Sequence, residues 1–370
     1  MAEKQSGNTT RRALMGGLVS TPLLVGGAVA GYEATSRRNT IESVNQKAVD
    51  RDGELTQTTL GKTDSGSTGD GDAFTYLSAT SDLLNNVGRT VGEQVRVQRN
   101  DDEVAVYTIQ GELSGDGPGV AGNALSRARL DLNNSNWEVN NSDQENLGDC
   151  RLACPRPEAS VPINDDDEVD VDVNPMVVNP DLSVEEAQES DDYVEVSKQT
   201  DSDVIVLSPH GGDVQPHTGE QAETVVDELN GDVDHWGTRG YRNGSGAFVR
   251  WYVPSYNMSE ASYPELAEVS ENEYEYAIAF HGTCDPTIQI GGQAPQSFRE
   301  EVRDAINDAL EGTDLNAVLG TDEYRVDGDN TLVNRLAMRC AIWIGQDEES
   351  REQYGMEIAE AVAGVLESRV

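Results

Sequence analysis

The spacing of apolar residues changes along the chain, and the second half is the more regular. Val204-Ile205-Val206-Leu207 is an unbroken apolar run, short enough for a strand covered on both faces and too short for a helix. Tyr276–Phe280 and Ala341–Ile344 repeat that pattern, and Ala247–Val253 reads as a further strand. Between them the period lengthens. Glu220–Leu229, Pro264–Val269 and Glu348–Leu366 read as helices, as does the series Phe298, Val302, Ile306, Leu310 that ends near Gly312. Ser297 and Glu300 stand in capping-box order ahead of that series. Strands alternating with helices predict, for residues 201–370, a three-layer α/β/α sandwich around a mixed, mostly parallel sheet.

Upstream the pattern weakens. Gln94–Gln98 and Val104–Ile109 alternate apolar and polar positions on either side of Arg99-Asn100-Asp101-Asp102, which predicts a hairpin. Residues 91–200 are expected to be a small β-containing segment, a domain of its own or, as the lack of a long apolar segment before Val204 favours, a lid packed over the cleft of the main domain. A short helix is expected around Ala73–Val87. Otherwise residues 32–90 are polar, with Ser65-Gly66-Ser67-Thr68-Gly69-Asp70-Gly71-Asp72 among them, and read as a disordered linker and tail. The run Asp165-Asp166-Asp167-Glu168 lacks the glycine and closing glutamate of an EF-hand loop. Residues 1–31 place Arg11-Arg12 before the uncharged, glycine-rich stretch Ala13–Ala30, which ends in Ala28-Val29-Ala30. That order predicts a twin-arginine export signal, with an uncleaved anchor as the second reading, and an extracellular or cell-surface location. Membrane contact is expected only through that segment.

Charge narrows the partners. The 370 residues carry 68 acidic against 26 basic side chains, a net charge of -42. Such a surface excludes a nucleic-acid footprint, which is basic. It resembles the proteins of salt-loving organisms, in which a Debye length of roughly 3 Å at molar salt screens self-repulsion. Four cysteines, Cys150, Cys154, Cys284 and Cys340, favour disulfides in an oxidising compartment, with three pairings open.

The candidate chemistry lies in the turn Ser208–Glu220, between the first apolar strand and the first helix, where α/β sheets bind ligands. His210-Gly211 there is matched by His281-Gly282, which follows the strand Tyr276–Phe280. A lone histidine is more often a structural residue. Two in matching contexts point to one zinc held by both imidazoles, a carboxylate from the first turn and water. His217 is a candidate for a supporting role, and His235 beside Trp236 for a surface or a packing position.

Taken together, His210-Gly211-Gly212-Asp213-Val214-Gln215-Pro216-His217-Thr218, Phe280-His281-Gly282 with Ile290-Gly291-Gly292, Val333-Asn334-Arg335, Arg250-Trp251 and Arg351 resemble the poly-γ-glutamate hydrolase family, whose fold is similar to that of zinc carboxypeptidases. The resemblance spans about residues 92–370. It implies zinc-dependent cleavage of γ-glutamyl amide bonds in an acidic polymer or peptide, with Asn334, Arg335 and Arg250 binding substrate carboxylates.

The chain departs from that family at the chemistry. The family's first turn runs His-Gly-Gly-x-Ile-Glu, and Gln215 stands at the glutamate, so the third ligand passes to Asp213. Gly345 stands where the family has its proton-accepting glutamate, leaving Asp347 as a substitute base. Tyr252 replaces a usual histidine; with Gln215 and His217 it is expected to back the metal ligands. Three functions follow as alternatives: an exported zinc hydrolase of reduced activity, an inactive relative that binds a glutamate-rich polymer or cell-surface partner, and a structural surface protein.

Overall fold

The computed structural model describes residues 53–63, 73–100, 103–123, 126–127, 129–130, 168–242 and 246–370. The expected export signal, Cys150, Cys154 and Asp165 to Asp167 lie outside the described residues. The fold is mixed α/β and is built on two sheets.

The first sheet is a closed six-stranded barrel. Its strands are β1 (Thr56–Lys62), β2 (Tyr76–Thr80), β3 (Gln94–Asn100), β4 (Glu103–Leu113), β5 (Val120–Gly122) and β6 (Val169–Asn174), arranged β1-β5-β2-β4-β3-β6, with α1 (Ser81–Asn86) after β2. The predicted hairpin is β3 with β4, which pair antiparallel from Gln94 opposite Thr108 to Asn100 opposite Glu103. The polar stretch expected to be a linker supplies β1 and β2, and the helix expected over Ala73–Val87 is confined to α1. One to three inward apolar residues per strand fill this barrel, so a strand of it reads as polar in sequence. Leu60 is the fully buried one of β1.

The strand β4 explains how the barrel meets the rest of the molecule. Alternate residues point to opposite faces of a strand. Ala105, Tyr107 and Ile109 enter the barrel core, whereas Val104 and Val106 enter a second core shared with the large sheet. Arg129 reinforces that junction. Fully buried, it donates to the carbonyls of Val249 at 2.5 Å, Val106 at 2.6 Å, Arg250 at 3.1 Å, Tyr252 at 3.2 Å and Phe74 at 3.4 Å. Its guanidinium also lies over the rings of Tyr107 and Phe74.

After α2 (Val184–Glu189), whose Ser183 and Glu186 form a capping box, the chain builds a seven-stranded sheet. In chain order its elements are β7 (Tyr193–Lys198), β8 (Val204–Gly212), α3 (Thr218–Glu228), β9 (Asp234–Gly240), α4 (Gly246–Trp251), α5 (Pro264–Val269), β10 (Tyr274–Gly282), β11 (Ile288–Gly291), α6 (Gln296–Ala309), β12 (Ala317–Leu319), α7 (Leu332–Leu336), β13 (Ala337–Gln346) and α8 (Glu348–Leu366). The strand order is β12-β11-β13-β10-β8-β9-β7. Four central neighbours, β13, β10, β8 and β9, run parallel; β7 pairs antiparallel with β9 and β11 antiparallel with β13, while β12 runs parallel to β11.

One face of this sheet carries α3, α6 and α8, whose Val225, Ile306 and Ile358 pack on Val206, Ile278 and Ile342. The other face is covered by α4, α5, α7 and the barrel, so the expected layer of helices on that side is shared with β-structure. Ala247–Val253, read as a strand, is mostly the helix α4. All of Ala247 to Trp251 is buried between barrel and sheet, and a helix buried all round shows no amphipathic period. Ser297 does not cap α6, which begins one residue earlier behind Pro295. Among the described residues no helix is long and apolar enough to cross a membrane.

Candidate functional site

The parallel strands bring the two predicted imidazoles to one end of the sheet. His210 lies near the end of β8 and His281 near the end of β10, which are direct neighbours. Their rings meet edge to face with centroids 5.2 Å apart. Both are buried, and burial is the first cause holding both below the usual histidine range, His210 at about 4 and His281 well below. Both rings are therefore neutral at pH 7.

His210 is held from both sides. Its Nε2 lies 2.8 Å from the carbonyl oxygen of Val253 and its Nδ1 lies 3.1 Å from Gln215 Oε1. A neutral imidazole has one N–H, and the shorter contact assigns it to Nε2. Nδ1 is then a lone-pair nitrogen set against Gln215 Oε1, itself an acceptor, so no proton lies between them in this tautomer. The ring of Tyr252 lies beside that of His210, with centroids 4.8 Å apart. By contrast, the His281 ring makes no hydrogen bond among the described residues; it is enclosed by His210 and by Trp343, whose ring centroid is 5.5 Å away.

Gln215 is the residue that joins the two strand ends. Its Oε1 accepts from Gly282 N–H at 2.9 Å, and its Nε2 donates to Gly282 O at 3.3 Å. The side-chain amide thus pairs with a backbone amide at both of its atoms. A glutamate at this position lacks the N–H that faces Gly282 O, so this bracket specifically requires glutamine. Gly282 is needed as well, since a Cβ there would sit 2.7 Å from Arg351 Nη1 and 3.1 Å from the Gln215 side chain. Buried Arg351 completes the tie, donating to Pro216 O at 2.7 Å and to Gln346 O at 2.6 Å.

The remaining predicted ligands and bases are elsewhere. Asp213 is exposed and turned toward β9, its Oδ2 accepting from Arg242 N–H at 3.1 Å and its own N–H donating to Gly240 O at 2.8 Å. The backbone bends away there because Gly212 adopts a left-handed φ of 67°. Asp347, the predicted substitute base, caps α8 by accepting from Ser350 N–H at 2.9 Å. His217 stands at the N-cap of α3 and makes no capping bond through its side chain. His235 is buried in the sheet, with Nε2 3.2 Å from Ser208 Oγ, which leaves packing as its reading and not the surface.

The predicted carboxylate-binding residues are used by the fold itself. Asn334 donates to Val326 O and Gly328 O, both at 2.8 Å, and accepts from Gln293 N–H at 3.2 Å. Arg335 donates to Met258 O at 2.6 Å and pairs with Glu260 at 3.4 Å. Arg250 is buried and lies over the Trp251 ring. Asn334 and Arg335 also precede β13, whose Ala337 pairs with Tyr274 at the far end of β10 from His281.

Gly345 does pair in register with His281, so it marks the position from which a base would act on a substrate at the two histidines. That position is filled. A Cβ on Gly345 would meet the Trp343 indole at 2.2 Å and Thr283 Cγ2 at 2.6 Å. Residues two apart share a strand face, so Trp343 folds its ring over Gly345 and against His281. The sequence reading missed Trp343, although Trp-x-Gly on a strand end was the available signal.

These residues do not fit the zinc that the histidine pair first implied. A catalytic zinc takes three protein ligands and a water. Here a carboxamide stands beside one of two neutral imidazoles, the nearest predicted carboxylate is turned outward, and among the described residues no group of three His, Cys, Asp or Glu side chains is placed to hold a metal. Cys284 is disulfide-bonded, which removes it as a ligand, and Cys340 is a half-buried free thiol.

Residues 180–357 match the poly-gamma-glutamate hydrolase family. The match runs from just before α2 into α8 and so takes in the large sheet and both histidines. No curated protein matches the chain. Among solved structures, a bacteriophage poly-gamma-glutamate hydrolase aligns at 21% identity over 48% of this chain and 89% of its own, with a TM-score of 0.38. A zinc-free YNDL aligns at 20% identity over 50% and 96%, with a TM-score of 0.39. A metallo-carboxypeptidase from Burkholderia cenocepacia aligns at 9% identity over 55% and 73%, with a TM-score of 0.34. Scores this low leave the three as likenesses, and the similarity of residues 180–357 to the family rests on the sequence match.

Proposed function

We propose that this chain is a non-hydrolytic relative of the poly-gamma-glutamate hydrolases, an exported body that binds a glutamate-rich polymer or peptide at the cell surface without cleaving it. The observation that carries the loss of hydrolysis is the two-point bond between the Gln215 amide and Gly282, at 2.9 and 3.3 Å, which closes the turn where a metal-binding glutamate would stand. The indole of Trp343 over Gly345 supports it from the other side, since no proton acceptor has room there. The similarity of residues 180–357 to the family supports the choice of polymer. Export rests on Arg11-Arg12 and the stretch after it, and a salt-rich setting on the net charge of -42.

A second reading, residual amide hydrolysis, is favoured by one feature: among the described residues, His281 keeps both ring nitrogens clear of protein hydrogen bonds beside the Nδ1 lone pair of His210. Incubating the full chain with poly-γ-glutamate and zinc in molar salt separates the two. Retention of the polymer on immobilised protein with unchanged chain length is expected. Shortening of the polymer that disappears in His210→Ala overturns the non-hydrolytic reading, and absence of any retention overturns the binding role.

A further inference from the structure

A cavity of about 670 Å³ opens where β11 and β12 end and α6 begins. Its lining includes Gly292, Gln293, Gln296, Arg299, Thr321 and Arg325. It lies apart from the histidines: Ala294 N–H bonds to Ala341 O, Ala341 pairs with Ala277, and His281 is four residues further along β10.

The electrostatics of this cavity run against the rest of the molecule. In a chain with 68 acidic and 26 basic residues, an arginine ordinarily has a carboxylate to hand. Arg299 does not use one. Its side chain makes no hydrogen bond or ion pair among the described residues, and its Nε is buried without a partner. Neighbouring acids are engaged elsewhere: Glu300 accepts from Gln296, Glu301 pairs with Arg369, and Asp304 pairs with Arg303. Across the cavity Arg325 pairs with Asp327, so the charged side chains of the lining sum to one positive charge. The first turn of α6, a helix of 14 residues, adds backbone N–H groups and the positive end of its dipole at the same place.

We infer that this cavity binds a small oxyanion, a carboxylate or a phosphoryl group, with Arg299 as the principal donor and Arg325 as the second. A guanidinium presents parallel N–H groups to two oxygens of either anion, which is the geometry that a partnerless arginine facing a cavity leaves open. The size exceeds that of one anion and suits a carrier molecule of drug-like dimensions. This inference is independent of the function proposed above, because none of its residues touches His210, Gln215 or His281.

The test is calorimetric titration of the full chain, at one fixed salt concentration, with glutarate and separately with inorganic phosphate. Each is repeated on Arg299→Gln, Arg325→Gln and His210→Ala, with thermal unfolding recorded for every variant. The expected result is saturable binding of one or both anions, weakened at least about tenfold in Arg299→Gln and less in Arg325→Gln, and unchanged in His210→Ala. Tighter glutarate identifies a carboxylate ligand, and tighter phosphate a phosphoryl ligand. If neither anion binds the parent, or if a folded Arg299→Gln binds as the parent does, the inference is overturned.

Discussion

Replacing Gln215 by glutamate changes one NH2 group into an oxygen, at the bond that ties β8 to β10. In the parent, Nε2 donates to Gly282 O at 3.3 Å while Oε1 accepts from Gly282 N–H at 2.9 Å. In Gln215→Glu the second bond survives and the first becomes a contact between two acceptors, at a residue only 4% exposed. Losing a hydrogen bond costs about 1 kcal/mol, and leaving buried acceptors without a donor costs roughly 1–3 kcal/mol more. The expected loss is about 2–4 kcal/mol, or roughly 5–15 °C in Tm for a domain of this size. The variant also completes a His-His-Glu donor set, which the parent lacks. Thermal unfolding in molar salt, with chelator and then with zinc, should therefore show a destabilised variant that zinc partly rescues and a parent that zinc leaves unmoved. A variant as stable as the parent in chelator refutes the bracket, and a parent stabilised by zinc as strongly as the variant refutes the reasoning about the donor set.

Gly345→Glu, which on the family pattern restores a base, is expected to lower stability without conferring cleavage, because its Cβ meets the Trp343 indole at 2.2 Å; overpacking of this kind costs about 1–3 kcal/mol. Urea unfolding of Gly345→Ala isolates the steric part, and an unchanged midpoint contradicts it. Arg129→Met should cost on the order of 3–5 kcal/mol, since it strands several buried carbonyls at the junction of barrel and sheet; an unchanged unfolding midpoint shows that the junction does not depend on it. Burial, then the nearby Arg239 and Lys198, pushes His235 down to about 3. A histidine kept neutral in the folded state contributes stability that is complete above pH 6.5 and is lost as pH falls toward 3, with a slope of up to about 1.4 kcal/mol per pH unit. His235→Gln should therefore flatten the stability profile between pH 6 and pH 4 relative to the parent, and identical slopes contradict the assignment.

What was legible in the sequence was set by how local each signal is. The helix Glu348–Leu366 has the bounds its pattern predicts, because its buried Ile358, Val362 and Leu366 repeat at helical spacing within one segment. Val204–Leu207 and Tyr276–Phe280 announced strands because both faces of each are buried, and parallel pairing then carried His210 and His281 to the same end of the sheet. The barrel was not legible. Its β1 pairs with Val120–Gly122 and with Val169–Asn174, partners some 60 and 110 residues away in the chain, and its polar outward face hides the inward alternation. Within the site, the motif located the imidazoles and the two anomalous positions, Gln215 and Gly345. It did not show that Gly212 turns Asp213 outward, that Asp347 is spent on a helix cap, or that Trp343 occupies the space over Gly345. Those outcomes depend on backbone dihedrals and on side chains from neighbouring strands, which a linear pattern does not encode.

Two neutral imidazoles with a carboxamide, not a carboxylate, beside His210 do not make a zinc centre. The most direct test is the metal content of the full chain after equilibration with excess zinc in molar salt and removal of free metal. The account predicts zinc far below one equivalent per chain, with no difference between the parent and His281→Ala. One tightly held zinc per chain, lost in His281→Ala, would contradict it.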